Sequence, residues 1–329
     1  MKFSQIIGHD KQIKHLKNSI NKKQYVHAYI FNGPSGIGKK QVAKALMSSV
    51  LCLESDLEPC DRCASCVKLK TDNHPDIMHI QPDSGSVKNQ QVEDFQKFVN
   101  IKPYESNHKI ILIEDADTMT TSAQNRILKV LEEPPSYVMV ILITTNVNRL
   151  LPTIRSRCLG MNFQPVPPEM IASFVMDNYN VDRSHAKVIA SFSKGSFDAA
   201  LQMLESETLS EDRKLVEDLF ESVVNRKKLK QLEYVTVLEK SKEKTSEILD
   251  LLTFWIRDLI LISEKANTEL LVNQDKIMIL EDIVEKMSTI QFYRCFKEVE
   301  NAKRAIREQV NLSANMESLV IALQEVRNG

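Results

Sequence analysis

The sequence predicts an α/β domain built on a parallel sheet, followed by a wholly helical second half. Three observations carry this. Short apolar runs alternate with helix-length segments as far as about residue 163. The first of them leads straight into a glycine-rich turn, GPSGIGKK (33–40). Strand signals then stop after the proline-containing stretch FQPVPPEM (163–170). The runs HAYIFNG (27–33), PDIMHIQP (75–82), HKIILIED (108–115) and YVMVILITT (137–145) are the expected strands. Their apolar residues run on rather than alternate, as a strand covered on both faces requires. Helices are expected between them, at 39–51, 90–99 and 119–132. Beyond residue 170, EMIASFVMDNYN and DRSHAKVIASFSKGSFDAALQMLES have the period of short amphipathic helices, and from about 208 onward nearly everything does.

Bulk properties exclude some functions. Forty-three basic and 44 acidic residues leave a net charge of −1 over 329 residues, so no global field draws the chain onto nucleic acid or a membrane. The segment MKFSQIIGHD lacks the pattern of a signal peptide, and no run of 18 apolar residues occurs. The expectation is a soluble, cytoplasmic protein of two or three domains. The run KSKEKTSEILD (240–250) mixes charge signs and is expected to be a solvated helix face.

GPSGIGKK has the spacing of a phosphate-binding loop and the strand-then-helix context that such a loop needs. Gly33, Gly36 and Gly38 let backbone N–H groups close on phosphates, and Lys39 supplies a point charge. The next residue normally carries a hydroxyl for Mg²⁺, but here it is Lys40, which has no oxygen to offer. In IILIEDAD (110–117) a buried strand ends in Glu114 then Asp115, the reverse of the Asp-Glu order that binds Mg²⁺ and positions water. ATP or ADP binding is compatible with this loop; Mg²⁺ binding and fast hydrolysis are not expected.

Cys52, Cys60, Cys63 and Cys66 give C-x7-C-x2-C-x2-C, four thiolates clustered as a structural Zn²⁺ site demands. Cys158 and Cys295 stand apart and are expected to be small buried hydrophobes. In IRSRC (154–158) an arginine could cap a helix or form a salt bridge within the chain, or project toward a phosphate on a neighbouring subunit. Composition alone favours the role within the chain.

Taken together, FSQIIGHDKQIKHLKNSI, HAYIFNGPSGIGKK, the four cysteines, NRILKVLEEPP (125–135) and LPTIRSRC (151–158) resemble the clamp-loader subunits of bacterial DNA polymerase III, which are AAA+ proteins. The resemblance implies an AAA+ nucleotide-binding domain at 1–164 with a zinc module at 52–66, a helical lid at 165–207, and an all-α collar at 208–329 for ring assembly. It implies that Arg157 is a finger completing the ATP site of an adjacent gamma/tau subunit, and that Thr145 falls at the sensor-1 position. The implied partners are gamma/tau and delta subunits in a hetero-pentameric ring and, through that ring, the sliding clamp and primer-template DNA. Three positions depart from the ATP-hydrolysing members: Lys40, the Glu114-Asp115 order, and Asp198 in GSFDAAL (195–201), where those members carry a sensor arginine. The expectation is therefore a stator without ATPase activity of its own. The rival is an ATP-hydrolysing gamma/tau-type subunit that tolerates these changes.

Overall fold

All four expected strands form, and odd and even residues along them feed two separate cores. In the computed structural model, which describes residues 1–55, 57–83, 85–87, 89–205, 208–226, 244–308 and 310–328, these are β1 (Ala28–Asn32), β2 (Ile77–Ile80), β3 (Lys109–Ile113) and β4 (Val138–Thr144). A fifth, β5 (Leu159–Asn162), completes a parallel sheet of order β2-β3-β4-β1-β5. Tyr29, Phe31, Ile110, Leu112, Met139 and Ile141 point to one face, against α1 (Asp10–Asn21) and α2 (Lys39–Val50). Ile30, Ile111, Ile113, Val140 and Leu142 point to the other, against α4 (Asn89–Val99) and α5 (Thr121–Glu132); α3 (Ala64–Lys70) lies between α2 and β2 in the chain. Burial on both faces is why the strand runs are continuous in hydrophobicity.

β5 was not foreseen, and its composition explains why. Of LGMN only Met161 is buried, so this short edge strand has neither a run nor an alternation to betray it. It pairs along β1 from Tyr29↔Leu159 to Asn32↔Asn162. At the opposite edge Asp76 is fully buried, and its carboxylate accepts the backbone N–H groups of Tyr104 (2.6 Å), Glu105 (2.9 Å) and Ser106 (2.9 Å), pinning the loop before β3.

The chain divides into two compact units. The first comprises Met1–Met170 with Gly195–Asp198, and so contains the sheet and the start of a later helix, Phe197–Glu205. The second comprises Ile171–Lys194 and Ala199–Gly329. Its described residues form helices throughout, among them Arg183–Phe192, Thr208–Val224, Thr245–Ser263, Ile277–Lys286, Thr289–Arg307 and Leu312–Asn328. Leu252, Trp255, Ile256, Phe292, Val299, Leu319 and Leu323 are among its buried side chains. Asp258 is buried there with its carboxylate satisfied by the N–H groups of Val272 and Asn273. Residues 227–243, part of the expected collar and of the run at 240–250, lie outside the described residues. Among the described residues no helix is long and apolar enough to cross a membrane.

Candidate functional site

The carboxyl ends of β1, β3 and β4 carry the expected nucleotide-site residues, which is where an open parallel sheet places ligands. Gly33 ends β1 against Phe163, whose carbonyl oxygen would be 2.4 Å from any added Cβ. Gly36 (φ +72°) and Gly38 (φ +106°) adopt left-handed conformations, so the turn into α2 requires glycine. Lys39, 5% exposed, folds back into this turn, and its ammonium donates to the carbonyls of Gly33 (2.6 Å) and Pro34 (2.5 Å). Burial pulls the Lys39 pKa down against the charges of Asp115, Asp117 and Asp198. The carbonyl of Gly36 accepts the N–H of Phe197 (2.9 Å), and Asp198 packs over the same glycine. A carboxylate thus stands over the loop.

Lys40 does more than omit an oxygen. Its ammonium forms an ion pair with Glu114 at 2.7 Å, and His79 donates through Nε2 to the same carboxylate oxygen. Burial opposes ionisation of Glu114, yet the hydrogen bonds from His79 and Lys40 outweigh it and hold its pKa at about 2. The charge of Glu114 is thus balanced by an ammonium tethered in the same chain.

Because Glu114 titrates lower in the folded chain than its ordinary 4.5, the stabilisation is complete above about pH 4.5 and fades as pH falls toward about 2. The Glu114→Gln variant is therefore expected to be less stable than the parent at pH 7, by on the order of 3 kcal/mol at most. The deficit should shrink through that window, as urea midpoints at stepped pH would measure. A deficit constant with pH would mean that the pair is not charged.

Asp115 lies within reach of the charges of Lys39 and Lys40. It takes a left-handed conformation (φ +44°) at the start of the turn Ala116–Thr118, and burial, with the charges of Asp117 and Glu114, raises its pKa. Thr145 does not stand free at the end of β4. Its N–H (3.2 Å) and hydroxyl (3.3 Å) donate to Asp117, as does the Thr144 hydroxyl (2.6 Å). His79 and Asp117 escaped the sequence reading. Asp117 closes the run IILIEDAD, and His79 is the one polar residue inside β2, faint signals that gain meaning only when strand ends meet in space.

Arg157 lies just after the short helix α6 (Pro152–Arg155) and is partly exposed. Its guanidinium pairs with Glu132 at the end of α5 (2.9 Å) and donates to the Thr153 carbonyl (3.0 Å). Of the two unassigned cysteines, Cys295 is fully buried as expected, while Cys158 is half-buried.

The four clustered cysteines meet. Their sulfur atoms all lie within 4.8 Å of one another, close to the separation of about 3.8 Å that a tetrahedron of Zn–S bonds imposes. Backbone N–H groups of Cys60, Cys63 and Cys66 point at the sulfurs of Cys52, Cys60 and Cys63, at 3.3–3.4 Å. Burial raises the Cys63 thiol, but amide and thiol hydrogen bonds outweigh it and bring the pKa to about 7, whereas Cys60 is raised and burial pushes Cys66 up. Donors aimed at sulfur favour thiolates, so the donor set fits Zn²⁺.

Sheet, loop and helical second unit define a P-loop α/β protein with an appended helical body. Comparison with known proteins narrows this. Residues 8–167 match the model of the family "DNA polymerase III, delta subunit", and residues 207–323 match that of "DNA polymerase III, delta subunit, C terminal". The chain is 33% identical to the DNA polymerase III subunit delta' of Bacillus subtilis over 95% of both chains. To the tau subunit of the same organism it is 26% identical over 84% of this chain, spanning 53% of that protein. To the gamma subunit of Buchnera aphidicola from Acyrthosiphon pisum it is 30% identical over 62% of this chain and 58% of that one. The chain belongs to the delta prime family of DNA polymerase III subunits.

Proposed function

We propose that this chain is a stator of the DNA polymerase III clamp loader. It would occupy a hetero-pentameric ring with gamma/tau and delta subunits, and help place the sliding clamp on primed DNA without hydrolysing ATP itself. The observation that carries the reading is the ion pair between Lys40 and Glu114. It puts an ammonium where a Mg²⁺ ion would need oxygen ligands, and Asp198 adds a repelling charge over the loop. Gly33, Gly36, Gly38 and Lys39 keep the form of a phosphate loop, so ATP or ADP is the class of ligand this degenerate site would take. Lys40 is committed to Glu114 and the Thr145 hydroxyl to Asp117, which supports a site without hydrolytic chemistry of its own.

The chemistry this chain contributes is charge given to a neighbour. Arg157, partly exposed at a helix end, would reach into the ATP site of the adjoining gamma/tau subunit and stabilise the charge that develops on the transferred phosphoryl group. Cys52, Cys60, Cys63 and Cys66 would hold a structural Zn²⁺, which supplies cross-linking energy to a loop with little core of its own. The segments 165–207 and 208–329 would act as lid and collar. Co-purification of the chain with gamma/tau and delta proteins of its own organism should yield a stable assembly whose ATPase depends on this chain. An assembly that forms and turns over fully without it would contradict the reading.

A further inference from the structure

We propose that Glu132 is a positioning residue for Arg157, a latch that stows the finger until a phosphate draws it out. The proposal rests on the reading of Arg157 given above. Two observations point to it. The first is the set of bonds on the guanidinium. Its Nη2 pairs with Glu132 Oε1 at 2.9 Å, while its Nη1 donates to the Thr153 carbonyl at 3.0 Å and to the Ser156 hydroxyl at 3.3 Å. A guanidinium grips a phosphate through two parallel N–H groups, and both terminal nitrogens are engaged within the chain. The finger therefore has to leave Glu132 before it can act.

The second observation is where Glu132 stands. It is the last residue of α5, at the negative end of the helix dipole, a place that favours lysine or arginine over an acid. The neighbouring guanidinium offsets that misplaced charge, so the acid is explained by its partner rather than by its helix. Both side chains are open to water, Arg157 at 35% and Glu132 at 48%, so the pair is screened and readily broken. A pair of that strength can bias the resting position of the arginine without opposing the much larger attraction of a transition-state phosphoryl group.

The test is single-turnover ATP hydrolysis by the loader reconstituted from this chain with gamma/tau and delta. Glu132→Gln keeps the shape of the side chain and removes its charge. It is expected to raise the hydrolysis rate at saturating ATP, at the site that Arg157 serves, by about two- to fivefold, the range a weak exposed pair can impose. The ATP concentration for half-maximal rate should not change, because a latch acts on the arginine and not on nucleotide binding. The double variant Glu132→Gln/Arg157→Ala should match Arg157→Ala alone, and Glu132→Asp should restore the parent rate in part. A Glu132→Gln rate equal to the parent's would make the pair idle, and a lower rate would make Glu132 an aligner of the finger; either overturns the latch. If Arg157→Ala itself left the rate unchanged, the finger assignment would fail instead, a result separate from any effect of Glu132.

Discussion

Arg157→Ala is expected to slow ATP hydrolysis at the adjoining subunit's site by about 10³-fold or more, the range over which an arginine supplied in trans acts. The effect falls on chemistry. In the proposed role the guanidinium would meet charge that exists only as the phosphoryl group transfers, so binding of ATP should change little while the rate collapses. The chain itself should hardly notice. Its surface ion pair with Glu132 is worth at most about 1 kcal/mol, and the carbonyl of Thr153 can turn to water. Steady-state ATPase of the assembled loader, together with thermal melting and zinc content of the variant, separates the two outcomes. If other ATP sites of the assembly do not receive this arginine, the residual rate would report their share. An assembly whose ATPase is insensitive to Arg157→Ala would remove the finger.

The second large effect concerns the cysteines. Changing Cys63 and Cys66 together to Ser is expected to abolish binding of one Zn²⁺ per chain and to lower the melting temperature markedly. Structural zinc commonly contributes on the order of 10 kcal/mol of binding energy to the folded state. Cys63 and Cys66 are buried, and Cys63 caps the helix Ala64–Lys70. Within that helix Ser65 donates to the Leu51 carbonyl (2.7 Å) and meets His74 (2.9 Å), so loosening the cluster frees a buried polar network as well. Metal analysis and melting of parent and variant measure both consequences. A parent chain that is purified without metal and melts as the variant does would eliminate the site.

Much of the sheet was legible in the sequence because its strands are covered on both faces, which writes burial directly into runs such as KIILI and VMVILIT. β5 was illegible for the complementary reason, having one buried residue in four. The loop was legible because its chemistry is local: glycines with forced dihedral angles and a lysine lie in consecutive positions. The same locality made the cysteine cluster visible. What could not be seen were pairings between strand ends. Sequence reasoning gave Lys40 only a negative role, the lack of a hydroxyl. The fold brings it to Glu114, which His79 also contacts, so the lysine gains a partner that the sequence did not suggest. Thr145 was placed by resemblance, yet its partner Asp117 becomes apparent only when β4 lies beside β3. Glu132 likewise belonged to a recognisable stretch, NRILKVLEEPP, without any sign that it would meet Arg157.

In the proposed role this chain lends charge to a neighbour's site and does not hydrolyse ATP in its own. The most direct test is ATP turnover by the purified chain alone, with Mg²⁺, beside its Lys39→Ala variant. The ammonium of Lys40 on Glu114 and the carboxylate of Asp198 over Gly36 predict a rate equal to background in both. Robust turnover by the parent that disappears in Lys39→Ala would contradict it.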